Sequence, residues 1–309
     1  MNHTKRSEPY RNYDKDGWLA WLFSAPALLL LLTFLVIPFA MAIGLSFTDQ
    51  RLIPNPNLPT AFVGWRNYQR LLVDGTFWMA VKNCFLFVAV VVPVQTSMAL
   101  GLAMLVNQRL KGVNIFRTIY FSPVVISMVV VSVIWTFLYD PADGFVNRLI
   151  GWLSFGFIGP QDWLNDPSLA FFCIMVLSIW QGVGFQMVIF LAGLQSIPGE
   201  LYQAAEVDGA SSWQKFLHIT LPLLRNAAIF VILSTTILAF KLFVQVWVMQ
   251  GPAGHPQEST ITLMVYAVSM GFRLGKIGYA SAITVLFFLF VLGFSIIQRF
   301  VLREERSVE

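Results

Sequence analysis

Residues 196–222 read Ser196-Ile197-Pro198-Gly199-Glu200-Leu201-Tyr202-Gln203-Ala204-Ala205-Glu206-Val207-Asp208-Gly209-Ala210-Ser211-Ser212-Trp213-Gln214-Lys215-Phe216-Leu217-His218-Ile219-Thr220-Leu221-Pro222. A connection this long is uncommon unless it is functional or builds elements of its own. Pro198 can open a helix at its first turn, and Glu200 suits the positive end of that helix dipole. Leu201, Ala204 and Ala205 recur at helical spacing. Gly209 can end the helix in a left-handed cap. Ser211 or Ser212 then caps a second short helix with Trp213, Phe216 and Leu217 on one face. Pro222 punctuates the chain before the next apolar run. The expected product is two short helices joined by an exposed turn, whose small residues let another surface approach closely.

Apolar runs flank this segment, and they dominate the chain. Of 309 residues, 57% are hydrophobic and 12% charged, with a mean hydropathy of +0.70. An average soluble domain carries about 25% charged residues. Halving that leaves too little polar surface to solvate a globule. A soluble enzyme, a disordered chain, a coiled coil and a nucleic-acid module are all poor fits. The net charge of +4 is read as cationic decoration of membrane-helix ends, with no nucleic acid as partner. Cys84 and Cys173 lie in apolar stretches and read as packing residues. His3, His218 and His255 are scattered, so no metal cluster is expected.

A helix needs about 20 apolar residues to cross a bilayer. Six stretches qualify: 18–47, 85–106, 119–139, 169–194, 226–248 and 278–300. The first is too long for the apolar core of a signal peptide, and no small-residue cleavage site follows it, so it is read as retained. Pro26 and Pro38 mark kinks or helix starts within it. Lys and Arg outside the spans divide twelve to seven in favour of both termini and the 196–222 loop lying inside. The expected organisation is a cytoplasmic tail (1–17), a first membrane helix (18–47), an extracytoplasmic segment (48–76), a five-helix core (77–300) and a second cytoplasmic tail (301–309). The outer segments 48–76 and 140–168 combine turn formers with Trp65, Trp152 and Trp163, which suggests compact structure at the membrane surface, as an aromatic belt or a docking surface.

The 196–222 loop resembles the EAA signature of permease subunits of binding-protein-dependent ABC importers. That signature is Glu-Ala-Ala, three residues, Gly, nine residues, Ile, any residue, Leu-Pro. Here Gln203-Ala204-Ala205, Gly209, Ile219, Leu221 and Pro222 stand at that spacing, with Gln203 in place of Glu. Ser46-Phe47-Thr48-Asp49, Phe62-Val63-Gly64-Trp65-Arg66-Asn67-Tyr68, Phe240-Lys241-Leu242-Phe243, Gly251-Pro252 and Gly278-Tyr279-Ala280-Ser281-Ala282 are similar to the carbohydrate-uptake, maltose-type subfamily. That subfamily often has Asp after Phe243, where this chain has Val244.

The resemblance implies an all-α integral membrane protein with the type I ABC importer fold, six transmembrane helices and both termini cytoplasmic, in the bacterial inner membrane. It implies a second, different six-helix permease subunit, an ATPase dimer below and an extracytoplasmic solute-binding protein above. ATP and Mg would sit on the ATPase subunits, and this chain would bind no cofactor. Gln203, Ala204, Ala205, Asp208, Gly209, Ala210, Trp213, Phe216, Ile219, Leu221 and Pro222 would form the surface that couples to the ATPase.

Ser178, Gln181, Gly182 and Phe185 follow one another at i, i+3, i+4 and i+7, giving one helical face a hydroxyl, an amide, a gap and a ring. Such groups bond sugar hydroxyls and stack on a sugar face, or serve as a polar helix–helix contact. Thr235, Ala239 and Leu242 share a face of the fifth span, and by resemblance both faces align with solute-contacting helices. Lys241 is the one charge well inside a span, and helical geometry sets it off the Thr235–Leu242 face. A structural ion pair and a contact with an anionic solute are both open for it.

Other readings are weaker. A self-sufficient secondary transporter would want internal symmetry and buried coupling carboxylates. No span carries Asp or Glu in its middle. An intramembrane enzyme would need a nucleophile–base pair or metal ligands within the bilayer. Gly271-Phe272-Arg273-Leu274-Gly275-Lys276 lacks the spacing of a phosphate loop. Within the transport reading, the solute is a di- or oligosaccharide, a sugar-like osmolyte or polyol, or a glycerol phosphate.

Overall fold

The computed structural model describes residues 17–53, 59–108 and 112–302. Nearly all of the two expected tails, with Pro54, Pro56, Arg109 and Lys111, lies outside the described residues. The described chain is helical, with one isolated antiparallel bridge, Thr48 to Phe62.

The first span runs through α1 (Gly17–Leu31), a π-helical turn (Leu32–Val36) and α2 (Ile37–Ser46). Pro26 lies inside α1, and Pro38 sits in the first turn of α2. A proline ring pushes against the carbonyl four residues back. For Pro38 that carbonyl belongs to Phe34, inside the wider π turn that accommodates the displacement. None of the most apolar window of this span is buried, so its Leu and Phe side chains have lipid as their solvent.

After α3 (Arg66–Leu72), Asp74 caps α4 (Gly75–Val106) by accepting a hydrogen bond from the Phe77 N–H at 3.2 Å. The helix starts ten residues before the apolar stretch expected at 85–106. The polar residues Thr76, Lys82 and Asn83 mask its first turns in a hydropathy reading. Asn83 is buried because its amide donates to the carbonyls of Ser259 and Ile261, both at 2.9 Å. With 32 residues at 1.5 Å each, α4 is about 48 Å long and overshoots the hydrocarbon core at its capped end.

The third span departs from expectation. A single helix over 119–139 was expected; instead α5 (Val113–Val125) and α6 (Met128–Leu138) meet at a bend of 101°. Pro123 has no N–H for the carbonyl of Ile119, and the Ser122 hydroxyl donates to that carbonyl at 2.9 Å instead. Three residues after Pro123, Ile126 turns extended and the chain changes direction. The amphipathic α7 (Phe145–Leu153) follows, and then α8 (Ala170–Gln195), which packs along α4 through the centre of the molecule.

Beyond α8 come α9 (Gly199–Val207), α10 (Ser212–Lys215), a π turn (Phe216–Thr220) and α11 (Leu221–Leu223). Pro222 was expected to punctuate the chain before the fifth span. It instead continues a helical path, again with a π turn holding the carbonyl four residues back, that of His218. The fifth span is α12 (Arg225–Phe240) followed by α13 (Val244–Gln250), broken at Lys241-Leu242-Phe243. The freed Leu242 carbonyl accepts from the Thr262 hydroxyl at 2.8 Å, which makes a break at membrane depth affordable. Then come α14 (Leu263–Val268), a π turn (Ser269–Arg273) and α15 (Ile277–Leu302).

Two buried clusters hold the bundle together. One, near the start of α4, gathers Leu71, Phe77, Phe87, Ile174, Phe240, Val265 and Ile283. The other gathers Ala99, Ala103, Met187, Phe190, Leu224 and Val231 at the end that carries residues 196–222. The connection between α2 and α3 is pinned by Asn67, whose amide donates to the carbonyls of Ser46 and Thr48 at 2.8 Å each.

Candidate functional site

The two short helices of residues 196–222 are built as their residues dictate. Pro198 stands at the N-cap of α9, and Glu200 lies in its first turn. Gly209 takes φ +75°, the left-handed conformation that a Cβ would strain. The N–H groups of Gly209 and Ala210 close the helix end on the carbonyls of Glu206 and Ala205, at 3.1 and 2.9 Å. Of the two candidate caps, Ser211 is used. Its hydroxyl accepts from the Gln214 N–H at 3.3 Å, and the Gln214 side chain accepts from the Ser211 N–H at 2.7 Å.

The Lys215 ammonium reaches back 2.8 Å to Glu206. That hydrogen bond, with the charge behind it, holds the Glu206 carboxyl below its ordinary value. Trp213 and Phe216 stack at 5.3 Å, and Tyr202 bonds Thr220 across the turn at 2.9 Å. Gln203, Ala204, Asp208, Leu221 and Pro222 are exposed, while Ala205, Ala210, Phe216 and Ile219 are half-buried. Val207 is 88% and Trp213 65% exposed, so the turn offers an apolar rim with nothing covering it. Beside that rim, a hollow of about 390 Å³ is lined by Ala205, Asp208, Gly209, Ala210, Gln214 and Ile219, among others.

Deep in the bundle is a second feature, a cavity of about 290 Å³ between α4, α8, α12 and α13, with Val124 and Met128 from the broken span at its edge. All eight residues singled out for a solute path line it: Ser178, Gln181, Gly182, Phe185, Thr235, Ala239, Lys241 and Leu242. Their availability differs. Phe185 is half exposed, whereas Ala239 and Leu242 are buried in the core cluster. The Ser178 hydroxyl donates to the Ile174 carbonyl at 2.8 Å and accepts from Gln245 at 3.4 Å. Gln181 donates to the Pro123 carbonyl at 3.5 Å, tying α8 to the bend of the third span. Gln95 crosses in front of Gly182, where a Cβ would lie 3.0 Å from its amide carbon.

Four polar lining residues escaped the sequence reading: Gln95, Gln186, Ser234 and Gln245. An amide alone in an apolar run is a signal in itself, because it is tolerated in a span only facing protein or water. Gln186 donates to Thr235 at 2.5 Å, and its buried carbonyl oxygen is left without a partner.

Lys241 needs correction. Helical geometry set it off the Thr235–Leu242 face, but α12 ends at Phe240, and the break turns Lys241 into the cavity wall. It is the sole charged side chain among the lining residues.

A third hollow, of about 770 Å³, opens at the end of the bundle where α4 starts. Asp74 sits in its wall and accepts hydrogen bonds from the hydroxyls of Tyr266 and Tyr279. Burial works to raise the Asp74 pKa; the two phenols and the Phe77 and Thr76 N–H groups overcome it, and the carboxyl ends below its ordinary value.

Comparison with known proteins agrees with this architecture. Residues 95–307 match the family described as binding-protein-dependent transport system inner membrane component. The chain is 35% identical to the lactose transport system permease protein LacF of Rhizobium radiobacter, over 99% of this chain and all of that one. It is 34% identical to the trehalose/maltose transport system permease protein MalF of Thermococcus litoralis, over 92% and 93% of the two chains. Among solved structures, a chain of a bacterial alginate ABC transporter, crystallised with an alginate-pentasaccharide-bound periplasmic protein, superposes with a TM-score of 0.80. That match covers 96% of this chain and 98% of the other at 21% identity, a likeness of fold. The chain belongs to the binding-protein-dependent transport system inner membrane component family.

Proposed function

We propose that this chain is half of the translocation pathway of an ATP-driven importer for a di- or oligosaccharide. The observation that carries the reading is the cavity. Amides and hydroxyls from four helices surround one half-exposed ring, Phe185, at the middle of a membrane bundle. Hydroxyl-rich solutes need that mixture of donors, acceptors and an apolar face. Relatives named for lactose and for trehalose/maltose transport support the class of cargo. The chain is a transport component; hydrolysis of ATP, with its Mg, belongs to a dimer of separate ATPase subunits.

In this reading the 196–222 loop faces the cytoplasm, as do both termini, and its exposed Val207–Trp213 rim seats in the ATPase. A second, different six-helix permease covers the open side of the cavity, and an extracytoplasmic binding protein docks on the outer segments in a bacterial inner membrane. Gln203 through Pro222 then form one contact surface. Closing the ATPase dimer would draw two such surfaces together and bias the bundle from inward- to outward-facing.

The test is purification of the tagged subunit with its partners, followed by ATP-dependent uptake of labelled oligosaccharides in proteoliposomes. Co-purification of an ATPase and a second permease, with hydrolysis stimulated by a loaded binding protein, is the expected result. Transport by this chain alone without ATP would overturn it.

A further inference from the structure

Lys241 is a cation in a place where a cation is expensive. It lies inside the span Arg225–Gln250, at the break between α12 and α13, and faces the cavity. A lysine at the centre of a membrane helix costs roughly 2.5–3.5 kcal/mol on insertion scales. Such a residue is tolerated when a counter-charge or water stands before it. No Asp or Glu is among the residues lining the cavity, and the Lys241 side chain has no hydrogen bond or ion pair among the described residues. The next turn offers Val244 and then Gln245, whose amide donates to Ser178.

Water in an open cavity satisfies this ammonium only until a solute displaces it. Lys241 is exposed to this space, and a neutral sugar filling it would replace water with hydroxyls that accept from the ammonium but leave its charge uncompensated. An anion would pair with it in a medium of low dielectric, where the attraction is largest. The other lining groups are uncharged: Gln181, Gln95, Ser234 and the Phe185 ring suit the sugar body.

We propose that the cargo is an anionic saccharide, and that Lys241 is the counter-charge for its carboxylate or phosphate. This rests on the transport reading above and narrows its substrate class. Uronic-acid oligomers and sugar phosphates share the chemistry, and the test separates them.

The assembled importer, with its partner permease, ATPases and binding protein, is reconstituted in liposomes. Uptake is measured for trigalacturonate, maltotriose and glucose 6-phosphate, in the parent and in Lys241→Gln and Lys241→Arg. The expected result is ATP-dependent uptake of one anionic probe in preference to maltotriose. Lys241→Gln should lower that uptake about tenfold to a hundredfold, the range for losing a charge-assisted hydrogen bond. Lys241→Arg should restore most of it. The identity of the favoured probe assigns the anion as carboxylate or phosphate. Preferred uptake of maltotriose, unchanged in Lys241→Gln, overturns the proposal while leaving the importer reading intact. Equal loss of all probes in Lys241→Gln also overturns it, because it marks a structural pairing with the facing subunit. No ATP-dependent uptake of any probe by an intact complex overturns this proposal together with the saccharide reading.

Discussion

Asp74 to Asn is the perturbation that most sharply tests how the end of the bundle where α4 starts is held. One oxygen of Asp74 caps α4 through Phe77, and the other accepts from Tyr266 on α14 and Tyr279 on α15. With the Thr76 N–H, four donors thus converge on one carboxylate. An asparagine keeps a single acceptor oxygen and turns an NH2 toward donors, so either the α4 cap or the two phenols lose their acceptor. A charge-assisted hydrogen bond contributes about 1.5–3 kcal/mol, and the opening to the adjoining hollow puts these at the low end, so the expected loss is about 2 kcal/mol. In a chain of 309 residues, that lowers the unfolding midpoint by roughly 3 °C.

Thermal unfolding of the purified complex in detergent reads the shift, and a mutant cycle isolates its cause. In a Tyr266→Phe/Tyr279→Phe background the demand for a charged acceptor is gone, and Asp74→Asn should then cost less than about 1 kcal/mol. Equal cost in both backgrounds would refute the account. The pH dependence has a definite sign. Because the folded pKa lies below the ordinary 3.8, the stabilisation is complete above that value and is lost as pH falls through the folded pKa.

Three further outcomes follow. Gly184→Ala places a Cβ 2.9 Å from the Tyr120 carbonyl carbon and closer still to its oxygen, so α5 must move; a loss of about 1–3 kcal/mol is expected, while Gly101→Ala, with open space around it, should be neutral in the same melt. Gly209→Val forces a branched residue to φ +75°, at a strain of about 1–3 kcal/mol, and should cut binding-protein-stimulated ATP hydrolysis in the assembled complex; unchanged stimulation would remove the turn from the coupling surface. Ser211→Ala removes the capping box of α10 and should destabilise it by about 1 kcal/mol, seen as faster amide hydrogen exchange over 211–216, whereas Ser212→Ala should leave exchange unchanged.

The sequence by itself determined that the chain lives in a membrane, because apolar runs long enough to cross a bilayer have no other low-energy solvent. It also determined the two-helix form of residues 196–222. Pro198, Gly209 and Ser211 act on their own few bonds, and local signals of that kind are fully written in local residues. Hydropathy located five spans and the bent helix pair of the third but misjudged ends and continuity, since a window average sees neither a cap such as Asp74 nor a single proline such as Pro123. The i, i+3, i+4, i+7 face of Ser178 to Phe185 was legible for the same local reason, being set by one helix's geometry.

Only the tertiary structure decided what that face meets. Gln95, Ser234 and Gln245 join it from other helices, and distances between helices are not written in any one of them. The position of Lys241 is the clearest case. As part of a continuous helix it would point away from Thr235. It lines the cavity because Thr262, more than twenty residues on, takes the carbonyl that a break must leave open. A long-range hydrogen bond permits the break, and the break places the charge.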